Sequence, residues 1–188
     1  NKAYIGENAT VIAKANKGTV NFIDGTVTSS VNGNYKNLND SDTTTSYVTS
    51  TSNEKAQTGV VVGAKSAQKL RSFVVSGGAS AAVTVVGSVN VVTFKSETDA
   101  YIGKKANVTT KNNGDILVIA VDTTSLQNVV GNVSASGAVS AGLSTDTITF
   151  QKRTSAYVDE GAALTSGRNI IIKAGSGETY LTFVVSAG

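Results

Sequence analysis

The chain of 188 residues contains no cysteine, histidine, proline, methionine or tryptophan. Without cysteine there are no disulfides, thiolate nucleophiles or thiolate metal sites. Without histidine the commonest general base and the commonest metal ligand are missing. Ser-His-Asp and Cys-His catalysis are therefore excluded, along with most zinc chemistry. Charge is sparse as well: 16 Lys and Arg stand against 13 Asp and Glu, a net charge of +3. The basic residues are scattered, as in Lys14 and Lys17, Lys104 and Lys105, Lys152 and Arg153. A nucleic-acid interface needs a dense basic stripe that meets several phosphates, so these read as solvated surface charges with no nucleic-acid partner. No apolar run approaches the roughly 20 residues of a membrane-spanning helix, and no charged-then-apolar leader opens the chain. The first residue, Asn1, falls inside a repeat, and the chain reads as a piece of a longer protein.

What is present is repetition. Ala3-Tyr4-Ile5-Gly6 recurs as Ala100-Tyr101-Ile102-Gly103 and, altered, as Ala156-Tyr157-Val158-Asp159. AYIGENATVIAK (3–14) aligns without gaps on AYIGKKANVTTK (100–111), and AYVDEGAALT (156–165) keeps the pattern. Tyr101 and Tyr157 lie 56 residues apart, and Thr93-Phe94 returns at the same spacing as Thr149-Phe150. Phe73 to Gly78 resembles Phe183 to Gly188. Tyr4 to Tyr101 spans 97 residues, so the first unit carries 41 extra, placed by this reading within 28–70.

Each unit holds short β-branched runs bounded by Gly, Asn, Ser or Asp, among them Val20 to Ile23, Val89 to Phe94, Ile116 to Val121 and Ile170 to Ile172. That is the pattern of strands and turns. Alternation places Val89, Val91 and Thr93 on one face and Asn90, Val92 and Phe94 on the other. Only Ala64 to Arg71 reads as a turn or so of helix. An antiparallel sandwich or barrel would need hairpin signals, which are few: Asp24-Gly25, Asn32-Gly33 and Asn113-Gly114. A solenoid, in which each coil buries its inner face against the next, suits the long repeat and the small residues at 77–83 and 134–142. The expected fold is all-β: a right-handed parallel β-helix, each unit two or three coils of about 20 residues, with one polar insertion.

The AYIG phrase, the following x-x-A-x-V, a polar turn, a hydrophobic strand and a Gly/Ala/Ser/Val-rich stretch together resemble the β-helical passengers of Gram-negative autotransporters. The similarity is greatest to the repeat regions of fusobacterial leukotoxin-like and haemagglutinin-like surface proteins. It covers nearly all of the chain except the insertion, and Asp159 departs from it by replacing the turn glycine. The resemblance implies a single β-helix segment over 1–188 that acts as a structural stalk in an adhesin. That adhesin would be secreted or displayed on the cell surface and held to the outer membrane through another region.

The insertion, 30–58, is rich in Asn, Ser, Thr and Asp and must lie on the surface as a loop or hairpin. Tyr35 and Tyr47, with Asp40 and Asp42, are the candidate ligand-binding residues, since exposed tyrosines suit a host glycan or host-cell protein. Asp40 and Asp42 with Asp24 and Glu54 could gather around calcium, but their spacing lacks a calcium-loop pattern and turn chemistry explains them. No metal or cofactor is expected. A carbohydrate-active β-helix enzyme would need carboxylates within about 5–10 Å of each other. Only Asp40-Ser41-Asp42 pairs acids locally, and Arg71, Arg153 and Arg168 stand isolated, so no catalytic residue is assigned and no enzyme is expected. Tyr4, Tyr101 and Tyr157 read as a stacked structural aromatic at a corner, and Phe94 and Phe150 as core. Open coil ends predict end-to-end self-association.

Overall fold

A computed structural model describes residues 1–15, 18–31 and 48–187. The described residues form strands and turns, with no helix. In chain order the strands are β1 (Lys2–Ile5), β2 (Thr10–Ala13), β3 (Val20–Val31), β4 (Val48–Gln57), β5 (Gly59–Ser80) and β6 (Val83–Ile102). They continue with β7 (Asn107–Thr110), β8 (Asp115–Ser136), β9 (Val139–Val158), β10 (Ala163–Thr165) and β11 (Ile170–Ala187). Three sheets are parallel and three-stranded, in the orders β1-β6-β9, β2-β7-β10 and β5-β8-β11. Among the described residues, only β3 and β4 pair antiparallel.

Each repeat unit thus contributes one strand to each parallel sheet. A unit of 56 residues makes a single pass, not two or three coils of about 20. The pairing is residue for residue: Tyr4 opposes Tyr101, and Tyr101 opposes Tyr157. Val60 opposes Ile116, which opposes Ile170. The corner between the first two sheets repeats as well. Ala9, Ala106 and Ala162 donate their N–H to the carbonyls of Gly6, Gly103 and Asp159. The third residue of each turn is left-handed, at Asn8 (φ 58°), Lys105 (φ 54°) and Gly161 (φ 74°). Gly103 has no room for a side chain, because a Cβ would lie 2.9 Å from Glu7 N and Ile5 O.

Where the three sheets meet, the interior is apolar. Ala100 and Ile102, Val108, and Ile116, Val118 and Ala120 come from the three strands of the middle unit, and all are fully buried. Beyond this prism, β5-β8-β11 and β6-β9 face each other as a double layer with many polar groups inside. Asn90 and Asn128 donate to Asp146 at 2.9 and 3.2 Å, and Asn132 donates to Ser144 at 2.7 Å. Ser76 and Ser88 hydroxyls meet at 2.7 Å, and Thr84 donates to Ala135 O at 2.8 Å. Hydrogen bonds across the layers offset the burial of these groups. The outer faces carry exposed apolar side chains, among them Phe73, Val75, Val85, Val89, Val91 and Leu143.

Two sequence expectations shift. Ala64 to Arg71 is strand, inside β5 and paired with Ala120 to Gln127. The extra residues of the first unit lie within 14–58 and not 28–70. Ala13 opposes Thr110 and Gly59 opposes Asp115, so 45 residues stand where the second unit has four.

Candidate functional site

The candidate ligand-binding residues Tyr35, Tyr47, Asp40 and Asp42 lie outside the described residues. What is described is the arm that leads to them, β3 paired with β4 and bent by a bulge between Ile23 and Val27. Gly25 sits at that bulge with φ 73°. The arm lies on the outer face of β5-β8-β11. Ile23 packs with Leu117, Ile119 and Val121, which all point away from the prism. As a result β8 is covered on both faces along most of its length.

Close approach of the arm depends on glycine. A Cβ on Gly177 would overlap Val27, and one on Gly175 would lie 2.6 Å from Gly25 O. The matching residues of β8 are Val121 and Thr123. Polar contacts fix the arm further along. Ser50 N–H donates to Ser125 Oγ at 2.8 Å, and Ser50 Oγ lies 2.7 Å from Thr179 Oγ1.

Two clefts flank the arm at its base. One, of about 420 Å³, has Val20, Phe22, Val61 and Gly63 on its walls, with Glu54 and Lys65 at its edge. The other, of about 330 Å³, has a floor of Leu117, Ile119 and Ile171 and charged walls of Asp24, Lys55, Asp115 and Lys173. Apolar surface with a few oriented polar groups is the usual make-up of a small-ligand site. Lys55 Nζ lies 3.1 Å from Asp24, and Lys173 Nζ donates to Thr26 Oγ1 at 3.2 Å. The Thr26 N–H, donating at 2.8 Å, and Lys55 hold the Asp24 carboxyl below its ordinary pKa against the opposing effect of partial burial. Glu54 instead pairs with Lys65 at 3.4 Å. Asp24 and Glu54 therefore each face a lysine, and no group of three or more acidic residues forms among the described residues.

Deeper in the second cleft, Asp115 is nearly fully buried. Arg168 grips it through Nε at 2.9 Å and a terminal nitrogen at 2.5 Å, Asn169 N–H donates at 3.0 Å, and Gln57 Nε2 also donates. Burial pushes the Asp115 pKa up, but Arg168, Gln57 and Asn169 outweigh it and the net shift is downward.

The isolated arginines of the sequence are thus not isolated in space. Arg153 joins Glu97, and binds Asp99 at 2.9 Å. Lys2 approaches the same two carboxylates at 3.6 Å. Glu97 and Arg153 are register partners 56 residues apart, so the repeat offset alone could have paired them. Beside this cluster the three tyrosines stack, with ring centroids 5.2 Å apart for Tyr4 and Tyr101 and 5.0 Å for Tyr101 and Tyr157. Phe94 and Phe150 stack at 5.2 Å but are only half-buried. A further cluster that sequence reasoning missed joins Asp122, Lys152 and Glu178 inside the double layer. No family model, curated protein or solved structure matches the chain.

Proposed function

We propose that this chain is a stalk segment of a surface-displayed bacterial adhesin of the autotransporter type, built as a right-handed parallel β-helix. The observation that carries the reading is the register: three units pair strand by strand in all three parallel sheets. Such an architecture lengthens by adding passes, each buried by its neighbour, which suits a spacer. The right hand follows from the general preference of parallel crossover connections. The two outermost layers, β1, β2 and β5 on one side and β9, β10 and β11 on the other, are paired on one side only within the described residues. Unpaired edges of this kind favour end-to-end association.

Duplicating residues 103–158 in tandem tests the spacer architecture. Solution X-ray scattering should show the folded body growing by about 4.8 Å along the stacking direction. Growth across the strands instead, or loss of β structure, would end the reading. The clefts at the foot of the arm favour a second reading, in which the arm binds a host glycan or host-cell protein. Binding of the chain to a glycan array or to host cells, lost when 32–47 is replaced by a short linker, would move the function from spacer to arm. A carbohydrate-active enzyme is the third and weakest reading. Turnover of a polysaccharide by the chain would establish it.

A further inference from the structure

The register places one unusual pair in a ladder of serines. On the sheet β5-β8-β11, Asp122 stands between Ser66 and Ser176. On the facing sheet, Lys152 pairs with Ser96. The ladder positions thus carry an acid and an amine only at the point where Asp122 and Lys152 meet across the layer. The Lys152 side chain is 6% exposed and that of Asp122 is 0% exposed, and Nζ lies 2.7 Å from Oδ1. Neither atom is aligned as a hydrogen-bond partner despite that distance. The other carboxylate oxygen, Oδ2, accepts hydrogen bonds from Ser96 Oγ and, at 3.3 Å, Thr98 Oγ1. Glu178 Oε1 lies 2.9 Å from the same Nζ and is partly open to solvent.

We propose that Lys152 and Asp122 join through an intramolecular amide bond, with Glu178 as the proton carrier. The ion pair contains every atom the reaction needs. Glu178 takes one proton from the ammonium and passes it to Asp122 Oδ1, and the neutral Nζ attacks Cγ of the resulting carboxylic acid. The negative charge of the tetrahedral intermediate falls on Oδ2, where the hydroxyls of Ser96 and Thr98 already point. The Cγ–Oδ1 bond then breaks. Oδ1 leaves as water with two of the three ammonium protons, one of them returned by Glu178, and the third stays on the amide nitrogen. No oxidant, reductant or co-reactant takes part. Two factors favour the reaction at this site. The groups are held within contact distance by packed strands, which replaces a bimolecular encounter with a fixed approach. Burial also disfavours the charged pair relative to a neutral amide. Asp122 is the acceptor because it is enclosed and its spare oxygen is held by two donors. Glu178 has one face in solvent, and Ser176 Oγ donates to its Oε1 at 2.9 Å.

Intact mass spectrometry of the purified, folded chain tests this directly. The expected mass is that of the sequence less one water molecule. Peptide mapping should find the Lys152 and Asp122 peptides joined, with tryptic cleavage after Lys152 blocked. Lys152→Arg should restore the full mass, and Glu178→Gln should slow the loss of water during incubation at neutral pH. A folded chain that keeps its full mass after prolonged incubation overturns the proposal. So does a water loss that persists in Lys152→Arg, which would mark aspartate cyclisation elsewhere, or a link mapped to Glu178. If Lys152→Arg fails to fold, the peptide map of the unsubstituted chain decides.

Discussion

Ile116 and Ile170 are the same residue in the same sheet, on neighbouring strands and in direct register. Stacking makes them unequal: Ile116 is 0% exposed, whereas Ile170, in the outermost layer, is 45% exposed. Replacing either by alanine removes three carbons. At Ile116 the transfer loss is about 2.4 kcal/mol at ~0.8 kcal/mol per buried methylene. The cavity left among Val62, Val118 and their neighbours raises the total to roughly 3–4 kcal/mol, within the range of about 2–5 for such changes. At Ile170 roughly half of the transfer loss is at stake, about 1 kcal/mol, and the site opens to solvent without forming a closed cavity. Urea unfolding followed by far-ultraviolet circular dichroism measures both. The expected gap is about 2 kcal/mol, with similar dependence on denaturant. Equal costs at the two positions would refute the stacking argument, as would a larger cost at Ile170.

Gly177→Val should lift the arm, because the added side chain overlaps Val27. Overpacking of this sort costs about 1–3 kcal/mol, and hydrogen exchange should show lost protection at Ser50 N–H while the β8 amides keep theirs. Unchanged protection at Ser50 would show that the arm is held elsewhere. Tyr101→Leu breaks two ring contacts and Tyr4→Leu only one. At about 0.5–1.5 kcal/mol per aromatic pair, the first should cost about twice the second in the same unfolding assay. Asp115 has a folded pKa below its ordinary value of 3.8. The stability it supplies is therefore complete above the unfolded pKa and lost as pH falls through the lower folded one. Asp115→Asn should make the chain less stable at neutral pH and flatten the fall in its urea midpoint below about pH 4. An acid limb as steep as that of the unsubstituted chain would show that other carboxylates govern it.

The 56-residue offset was legible because stacked passes place equivalent residues in contact. Tyr101 and Tyr157, or Phe94 and Phe150, must tolerate their own likeness as a neighbour. The number of passes per unit was not legible. Gly77-Gly78, Gly87 and Gly131 look like turn punctuation but sit inside strands of 20 or 22 residues, far longer than the usual five or six. At Gly78 a side chain would crowd Val86 and Thr84 of the facing layer, so the glycine there serves close packing of two sheets. Ala64 to Arg71 reads as helical from its Ala, Lys, Gln and Leu content, yet pairing with β8 overrides that preference. The arm was visible as a polar stretch, but its first strand, from Val20, is indistinguishable in composition from the strands of the passes. Asp122 and Lys152 stand 30 residues apart in no motif, and only the knowledge that two faces oppose each other brings them together.

The double layer has its polarity reversed, with hydroxyls and amides enclosed and valines facing water. A half-built layer of this kind gains little from expelling water, since its buried groups are satisfied only once the opposite sheet is in place. The apolar prism is under no such constraint. The prism therefore anchors the two sheets at one end of their strands, and the hydrogen bonds of the layer depend on that anchorage as they run outward along the strands from it.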